Sequence, residues 1–154
     1  MAGSVDRVRA ALAAAGHSDE LASFPASTRT AAEAAAAVGC AVAQIAKSIM
    51  FRSGETPVLV VASGANRIDA GKVAALVGAP IDRPDATWIR QVTGFAIGGV
   101  APVGHLTPPV VLIDADLAAI DPIWAAAGAP NTVFRTRFAD LVRISGGRVG
   151  DVRE

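Results

Sequence analysis

The sequence predicts an α+β fold, in which a mixed β-sheet is surrounded by helices. Two apolar runs, residues 45–52 and 57–62, are joined by a tight turn at Ser53 and Gly54 and indicate a β-hairpin. Helical patterns with capping residues lie both before and after this hairpin, which is typical of an α+β arrangement. The 154 residues match one domain of ordinary size, and no repeat, linker or low-complexity tail interrupts them. We therefore expect a single domain over residues 1–154.

The helices are predicted from their capping residues. Thr30 and Glu33 have the spacing of a capping box, Asp69 is a good N-cap, and Thr136 can cap a later helix. Gly16 ends the first helix. The predicted helices cover residues 4–15, 31–39, 70–77, 85–91 and 136–142, with helical turns at 41–44 and 114–118.

The remaining strands are short. The run 57–62 is apolar on both faces, so we expect it inside the sheet. Besides the hairpin, strands are predicted at residues 80–82, 110–113 and 131–134, the chain closing near 148–152. The uncharged stretch 91–113 is long enough to span a bilayer, but its glycines and prolines break such a helix, so we interpret it as loops and short strands lining a site.

Composition limits the kind of partner. Fourteen basic and fourteen acidic residues give a formal net charge of zero, so the chain lacks the basic excess of a protein that coats duplex nucleic acid. Any nucleic acid must therefore be bound through a few residues only, or by its end. The single cysteine, Cys40, excludes an internal disulfide and suits a reducing compartment. With no apolar signal core near the N-terminus, we expect a cytoplasmic protein without membrane contact.

Lys47 is the first candidate functional residue. Side chains alternate along a strand, so Lys47 shares a face with Ile45, Ile49 and Phe51. An ammonium in an apolar stripe is costly unless it is paired or poised for a ligand, although an edge lysine can also reach water. Ser48 points to the opposite face, which argues against a Ser–Lys nucleophilic dyad.

Two loops could present polar groups to a ligand. The first, residues 98–105, is called the glycine loop below; it contains Gly98, Gly99 and Pro102 and ends at His105. Its spacing fits neither a dinucleotide fingerprint nor a P-loop, but glycines allow a ligand close to the backbone. The alternative interpretation is a tight connection between strands.

The second loop, residues 63–67, follows the buried strand and precedes the helix that Asp69 caps. Ser63, Asn66 and Arg67 lie there, and Asn66 and Arg67 could contact a ribose or a phosphate. Alternatively, the Asn66 side chain could serve only to form hydrogen bonds within a turn.

The other reactive residue types suggest no site. Cys40 follows a helix C-terminus, which disfavours a thiolate, so it is interpreted as a small core residue. His17 and His105 without clustered cysteines do not indicate zinc. The pairs Arg7 with Arg9 and Arg135 with Arg137 could meet phosphates or form solvated faces.

The chain resembles the YbaK/prolyl-tRNA synthetase-associated editing domain family. The resemblance is carried, in order, by QIAKSIMF (44–51), VVASGANR (60–67), TGFAIGGVAP (93–102), IWAAAGAPN (123–131) and GRVGDV (147–152). It covers most of the chain and is specific for the family rather than for a substrate. It implies a deacylase that releases a small amino acid of the Cys, Ala, Ser or 2-aminobutyrate type from mischarged tRNA in trans, with tRNA-Pro as the expected carrier. Its expected partners are the tRNA acceptor end and, as a further candidate, prolyl-tRNA synthetase; DNA is not expected.

The resemblance also implies a site. Lys47 matches the family's required lysine, and residues 98–102 match its GxxxP loop, so Lys47 and the Gly98 carbonyl are the expected catalytic groups, with no metal or cofactor. The expected substrate contacts are Phe51, Ser63, Asn66, Gly99, Pro102, His105 and Asn131. Ala129 departs from the pattern, because close relatives carry histidine there, so the resemblance does not fix the polarity of the pocket.

Two other function classes stay open. A non-catalytic module could use the same cleft to hold a tRNA end or a synthetase. A small-molecule ester hydrolase could use His105 or Cys40, although the chain has no nucleophile elbow and no recognisable triad.

Overall fold

The structure is a computed structural model that describes residues 3–17 and 21–154. The helices are α1 (Ser4–Ala14), α2 (Ala31–Val38), α3 (Ala70–Val77), α4 (Ala86–Thr93) and α5 (Phe138–Ser145). The strands are β1 (Leu21–Ser23), β2 (Ile45–Ser53), β3 (Thr56–Ser63), β4 (Val110–Asp114), β5 (Ile123–Ala129), β6 (Thr132–Thr136) and β7 (Arg148–Gly150). Short 3-10 turns lie at Val42–Gln44 and Ala115–Ala119.

The seven strands form one mixed sheet in the order β1-β6-β5-β2-β3-β4-β7. The predicted hairpin is its centre: β2 and β3 pair antiparallel over their whole length, from Ala46 opposite Ser63 to Ser53 opposite Thr56. β5 runs parallel to β2, and β4 runs parallel to β3. The predicted α+β fold with a mixed sheet is therefore confirmed.

Helices cover both faces of the sheet. Ala46 and Met50 of β2 face a core that includes Val8 and Leu12 of α1 and Leu141 of α5. The opposite face of β2 contributes to smaller apolar clusters. These hold Phe51 of β2 with Val73 of α3, and Ile45 of β2 with Ala34 and Ala35 of α2.

Most predicted helix starts are confirmed by their hydrogen bonds. The Thr30 hydroxyl accepts from the Glu33 amide, and the Glu33 carboxylate accepts from the Thr30 amide, both at 3.1 Å, which completes the capping box. The Asp69 carboxylate accepts from the Lys72 amide at the start of α3. The prediction for Thr136 is wrong: this residue is the last of β6, and Arg137 takes the N-cap position of α5 without a side-chain cap.

The strand predictions need correction at several points. β1, β5 and β7 are present but were not predicted as strands. The segment 80–82 is not a strand, and only Asp82 forms a bridge, with Arg52. All of residues 94–109 are described, and none of them lies in a strand.

The uncharged stretch 91–113 was predicted to contain loops and short strands rather than a membrane-spanning helix. Across residues 3–17 and 21–154, no helix combines the length and apolar character needed to cross a membrane.

Candidate active site

A cavity of about 140 Å³ opens where β2 and β5 separate. The parallel pairing of these strands is limited to Ile45 with Trp124 and Ala46 with Ala125. Beyond Ala46 the strands diverge, and the glycine loop and the N-terminal end of α2 close the space between them. The lining comprises residues 28–31 and Ala34, residues 45–48, Ile97, Gly98 and Val100, and residues 124–126 with Val133.

Lys47 lies at this cavity, half-buried in β2. Its ammonium donates a hydrogen bond to the main-chain carbonyl of Asn66. Burial lowers the pKa of the Lys47 ammonium below the usual lysine value; Arg67 lowers it further, whereas Asp114 opposes the shift. The ammonium is thus held by protein and partly removed from water, unlike an edge lysine that extends into solvent.

The loop that holds Lys47 is itself fixed by a buried carboxylate. Asp114, the last residue of β4, is 1% exposed. Its carboxylate accepts from the Ser63 amide at 3.2 Å, from the Asn66 side-chain amide at 2.8 Å and from the Asp116 amide at 3.0 Å. Asp114 therefore orders the segment whose carbonyl receives the Lys47 ammonium.

Ser63 and Asn66 are therefore already engaged by protein groups rather than directed at the cavity. The Ser63 hydroxyl donates to the Ala43 carbonyl at 2.8 Å, and the Asn66 amide donates to Asp116 as well as Asp114. Sequence reasoning missed Asp114. A signal was present, since an aspartate ends the strand beside the one that ends at Ser63, and the carboxyl ends of neighbouring parallel strands meet at one edge of a sheet.

Gly98 brings the glycine loop to the cavity wall. Its φ of +89° lies in the left-handed region, and a Cβ at this position would stand 2.4 Å from Cγ of Arg29. At Gly99 a Cβ would stand 2.9 Å from Cα of Ala129, so the loop packs directly on the backbone of β5. Both positions require glycine, the first for conformation and the second for close approach.

Arg7 of α1 holds both the end of the glycine loop and the segment that precedes it. Its guanidinium donates to the Gly94 carbonyl at 2.8 Å and to the Gly104 carbonyl at 3.1 Å. The same group lies 4.9 Å from the centre of the Phe95 ring. The sequence offered only a phosphate contact or a solvated face for Arg7, because a helix pattern does not show which distant carbonyls a side chain reaches.

His105 also holds the glycine loop and does not line the cavity. Its Nε2 lies 2.6 Å from the Ala101 carbonyl, and because a carbonyl only accepts, Nε2 carries the proton. Phe95 packs edge-on against the imidazole at 5.1 Å between ring centres. Burial lowers the pKa of His105, the Ala101 hydrogen bond opposes that shift, and the Arg7 charge reinforces it.

Three further predicted contacts lie outside the cavity lining. Phe51 is buried in the α3 face of the sheet, with the Arg83 guanidinium 5.2 Å from the centre of its ring. Pro102 is buried within the glycine loop. The Asn131 side-chain amide donates to the Phe24 carbonyl at 3.2 Å and so secures the segment before α2. The structure thus shows these three residues in contacts with the protein scaffold.

A second cavity of about 150 Å³ adjoins the first. The two share Ser48, Ile97, Gly98 and Val100, while Arg83, Pro84 and Met50 contribute to the second one alone. A ligand lying along Ser48 and Gly98 could therefore place one part in each cavity.

Metal chemistry has no obvious donor set here. Among residues 3–17 and 21–154, no group of three or more His, Cys, Asp or Glu side chains is arranged to hold a metal ion. The residues with polar side chains that line the site are Lys47, Arg29, Trp124, Thr28, Thr30 and Ser48, and main-chain groups lie beside them.

Fold and site together define an α+β protein with a small, largely apolar cavity that is lined by a lysine and part of a glycine loop. Residues 25–144 match the aminoacyl-tRNA editing domain family. The chain belongs to that family, and the resemblance to YbaK-like and prolyl-tRNA synthetase-associated editing domains is confirmed.

Individual relatives agree with this assignment. YwhH of Bacillus subtilis (strain 168), a protein of uncharacterized function, is 30% identical over 132 residues, covering 85% of this chain and 84% of the relative. Proline--tRNA ligase of Streptococcus equi subsp. equi (strain 4047) is 29% identical over 137 residues, which cover 81% of this chain but only 22% of the ligase. A crystal structure described as a candidate trans-editing enzyme for prolyl-tRNA synthetase superposes with a TM-score of 0.92 at 43% identity, covering 100% of this chain and 99% of that one.

Proposed function

We propose that this chain is an aminoacyl-tRNA deacylase that acts in trans, hydrolysing the ester between a small amino acid and a mischarged tRNA. The observation that carries the proposal is the small cavity between β2 and β5, which both Lys47 and Gly98 line. Membership of the editing domain family supplies the class of substrate.

The reaction requires little from the protein. The oxygen of a water molecule bonds to the ester carbonyl carbon, and the bond from that carbon to the ribose oxygen breaks. The ribose oxygen takes up a proton, leaving a free amino acid and a tRNA with a free terminal hydroxyl. Because an aminoacyl ester is already activated, holding water and ester in attack geometry supplies much of the rate enhancement.

In this mechanism the Gly98 carbonyl orients the attacking water or the amino group of the substrate. The Lys47 ammonium anchors the terminal nucleotide or offsets charge that develops on the ester. The free hydroxyl of the terminal ribose assists proton transfer. The rigid placement of both groups supports these roles, since Asn66 holds the ammonium and the backbone conformation at Gly98 is one that other residues rarely adopt.

The dimensions of the cavity favour small amino acids. A protein cavity of about 150 Å³ is known to hold a molecule the size of benzene, and this one measures about 140 Å³. Its apolar walls include Ala34, Ala46, Ala125, Ala126 and Val100. Such a pocket excludes large side chains but discriminates weakly among small ones. Alanine, cysteine, serine and 2-aminobutyrate are the proposed substrates.

The proposed carrier is tRNA-Pro, and the proposed contact is its acceptor end. Likeness to a proline--tRNA ligase and to a candidate trans-editing enzyme for prolyl-tRNA synthetase supports this choice. A net charge of zero agrees with binding through the tRNA end rather than along the duplex. Arg29 is exposed beside Gly98, where it can meet a terminal phosphate. Prolyl-tRNA synthetase is the proposed protein partner, in the cytoplasm.

The test is deacylation of a panel of charged tRNAs (alanyl, cysteinyl, seryl and prolyl, each on tRNA-Pro) by the purified protein. We expect rapid release of one or two small amino acids. If no member is hydrolysed faster than in buffer while the protein still binds the tRNA, the deacylase proposal fails. The same cleft would then serve a non-catalytic binding module.

The geometry disfavours a small-molecule ester hydrolase that uses His105 or Cys40. His105 is engaged by the Ala101 carbonyl, outside the cavity lining. Burial raises the pKa of the Cys40 thiol, which disfavours the nucleophilic thiolate. We expect Cys40→Ala to leave deacylation unchanged, whereas an ester hydrolase that used Cys40 as its nucleophile would be inactivated by this substitution.

A further inference from the structure

One edge of β2 is unpaired at the cavity. Residues of an antiparallel strand alternate between main-chain groups that face the partner strand and groups that face away from it. The Arg52 amide and carbonyl bond to Asp82, away from β3, and the Ile45 carbonyl accepts from the Gly64 amide on the β3 side. By this alternation the amides and carbonyls of Ser48 and Met50 face the side on which β5 lies.

The parallel ladder to β5 ends before it reaches these groups. Its last pair is Ala46 with Ala125. Ser48 is therefore the first residue of β2 whose N–H and C=O point toward β5 without a strand to receive them. If the ladder continued in the same register, Ser48 would stand opposite Ala127; Ser48 and Ala126, the residue just before Ala127, both line the first cavity.

The Ser48 hydroxyl is also unused. Its oxygen is buried, yet it has no hydrogen-bond partner within the described part of the chain. Buried hydroxyls in native proteins nearly always have a partner, so an exception needs a reason. Ser63, in the neighbouring strand, shows the usual arrangement, since its hydroxyl donates to the Ala43 carbonyl. Ser48 lines both cavities, where a ligand can supply the missing partner.

We propose that Ser48 is a catalytic residue whose main-chain N–H and hydroxyl both donate to the ester carbonyl oxygen as that oxygen becomes negative. The proposal rests on the proposed function, and it assigns stabilisation of the ester oxygen to Ser48, which leaves Lys47 the other role proposed for it, anchoring the terminal nucleotide. The Gly98 carbonyl only accepts hydrogen bonds and cannot stabilise an oxyanion. The Lys47 ammonium is bound to Asn66, and its side chain leaves the opposite face of β2.

Geometry and chemistry are consistent with this role. The Ser48 hydroxyl gives up no protein hydrogen bond when it turns between staggered rotamers toward the substrate. Donors fixed before the reaction act most strongly on charge that develops in a water-poor site. Attack of water moves an electron pair onto the carbonyl oxygen, and that pair returns to carbon as the bond to the ribose oxygen breaks.

Ser48→Ala tests the proposal, with Ser48→Thr as the conservative variant and Ser53→Ala as the matched control. Ser53 ends the same strand and lines neither cavity. Single-turnover deacylation is measured at saturating protein, with tRNA affinity and melting temperature measured on each variant. We expect Ser48→Ala to lose about 10²-fold in rate, the usual effect of removing one oxyanion donor. Ser48→Thr should retain most of the rate, and Ser53→Ala should match wild type.

The melting temperature separates catalysis from structure. Removing a buried hydroxyl that has no partner does not weaken the fold, so Ser48→Ala should melt at the wild-type temperature or higher, with tRNA affinity nearly unchanged. A wild-type rate in Ser48→Ala overturns the proposal. So does a lower melting temperature with a rate loss that Ser48→Thr does not restore. Failure of the wild-type protein to hydrolyse any charged tRNA instead overturns the proposed function, and this assignment with it.

Discussion

Replacing Asp114 by asparagine tests whether the buried carboxylate organises the site. Asp114 touches neither cavity, yet its three hydrogen bonds fix the segment that holds Lys47. Asparagine keeps the size and shape of the side chain but turns one acceptor oxygen into a donor. In either orientation of the new amide, its NH₂ group faces at least one N–H that the carboxylate had satisfied.

The expected loss of stability in Asp114→Asn follows from the hydrogen bonds that the substitution removes. The less damaging orientation keeps the Ser63 and Asn66 bonds and loses the one from the Asp116 amide. A hydrogen bond to a charged group contributes about 1.5–3 kcal/mol. For a chain of this length, each kcal/mol lowers the melting temperature by about 2–4 °C. We therefore expect Asp114→Asn to melt about 3–12 °C below wild type.

The assays are thermal unfolding and single-turnover deacylation well below the melting temperature. Because the Lys47 ammonium loses its fixed position, the deacylation rate should fall even where Asp114→Asn is fully folded. Asp82→Asn is the control, since its side chain is exposed. An Asp114→Asn protein with wild-type melting temperature and rate would show that the carboxylate does not organise the site.

Three further perturbations address the glycine loop. Gly98→Ala places a Cβ 2.4 Å from Cγ of Arg29 at a φ of +89°. It should cut the deacylation rate by about 10²-fold, the order expected for a misplaced group; an unchanged rate would remove Gly98 from the mechanism. Arg7→Ala releases the Gly104 carbonyl of the loop and the Gly94 carbonyl just before it, and should slow deacylation, whereas Arg9→Ala, on the exposed side of α1, should not. Equal rates in both variants would contradict the role of Arg7 in holding the loop. The pKa of His105 is lower folded than unfolded, so the unfolded state binds more protons below about pH 6.5 and stability should fall on acidification. If His105 causes this loss of stability, the melting temperature of His105→Asn should depend less on pH in that range than that of wild type. An identical pH dependence in the two proteins would refute the prediction.

Local chemistry explains which elements the sequence predicts well. The β2–β3 hairpin has long apolar strands and a tight turn, and the α2 and α3 starts have caps that bond within three residues. These features depend on neighbours in sequence, so they can be found without the fold.

The missed strands depend on distant partners. β5 contains four alanines and a glycine among its seven residues, a composition without strand preference, and it becomes a strand because β6 and β2 pair with it. β1 has three residues and exists through its pairing with β6. Thr136 has the chemistry of a helix cap, but pairing with Ile123 keeps it in β6.

For the candidate site, too, some features could be predicted from the sequence and others depend on distant contacts. Lys47 and Gly98 were predicted from the resemblance, and the structure places both at one cavity. Asn66 and His105 were predicted to bind substrate, but they face Asp114 and Ala101, contacts made across 48 and 4 residues of chain respectively. Whether a polar side chain faces the ligand or the scaffold depends on such contacts, which spacing in the sequence does not encode.

The most direct test of the account compares the two lysines of the chain, Lys47 and Lys72. Lys72 pairs with Asp151 at the protein surface. Lys72→Ala therefore makes the same chemical change as Lys47→Ala, but at a residue without a proposed role in the reaction. Deacylation of the preferred charged tRNA is measured for wild type, Lys47→Ala and Lys72→Ala, with folding checked by circular dichroism. The account predicts a folded Lys47→Ala that releases no amino acid above the buffer rate and a Lys72→Ala close to wild type. A folded Lys47→Ala that deacylates like wild type would contradict it.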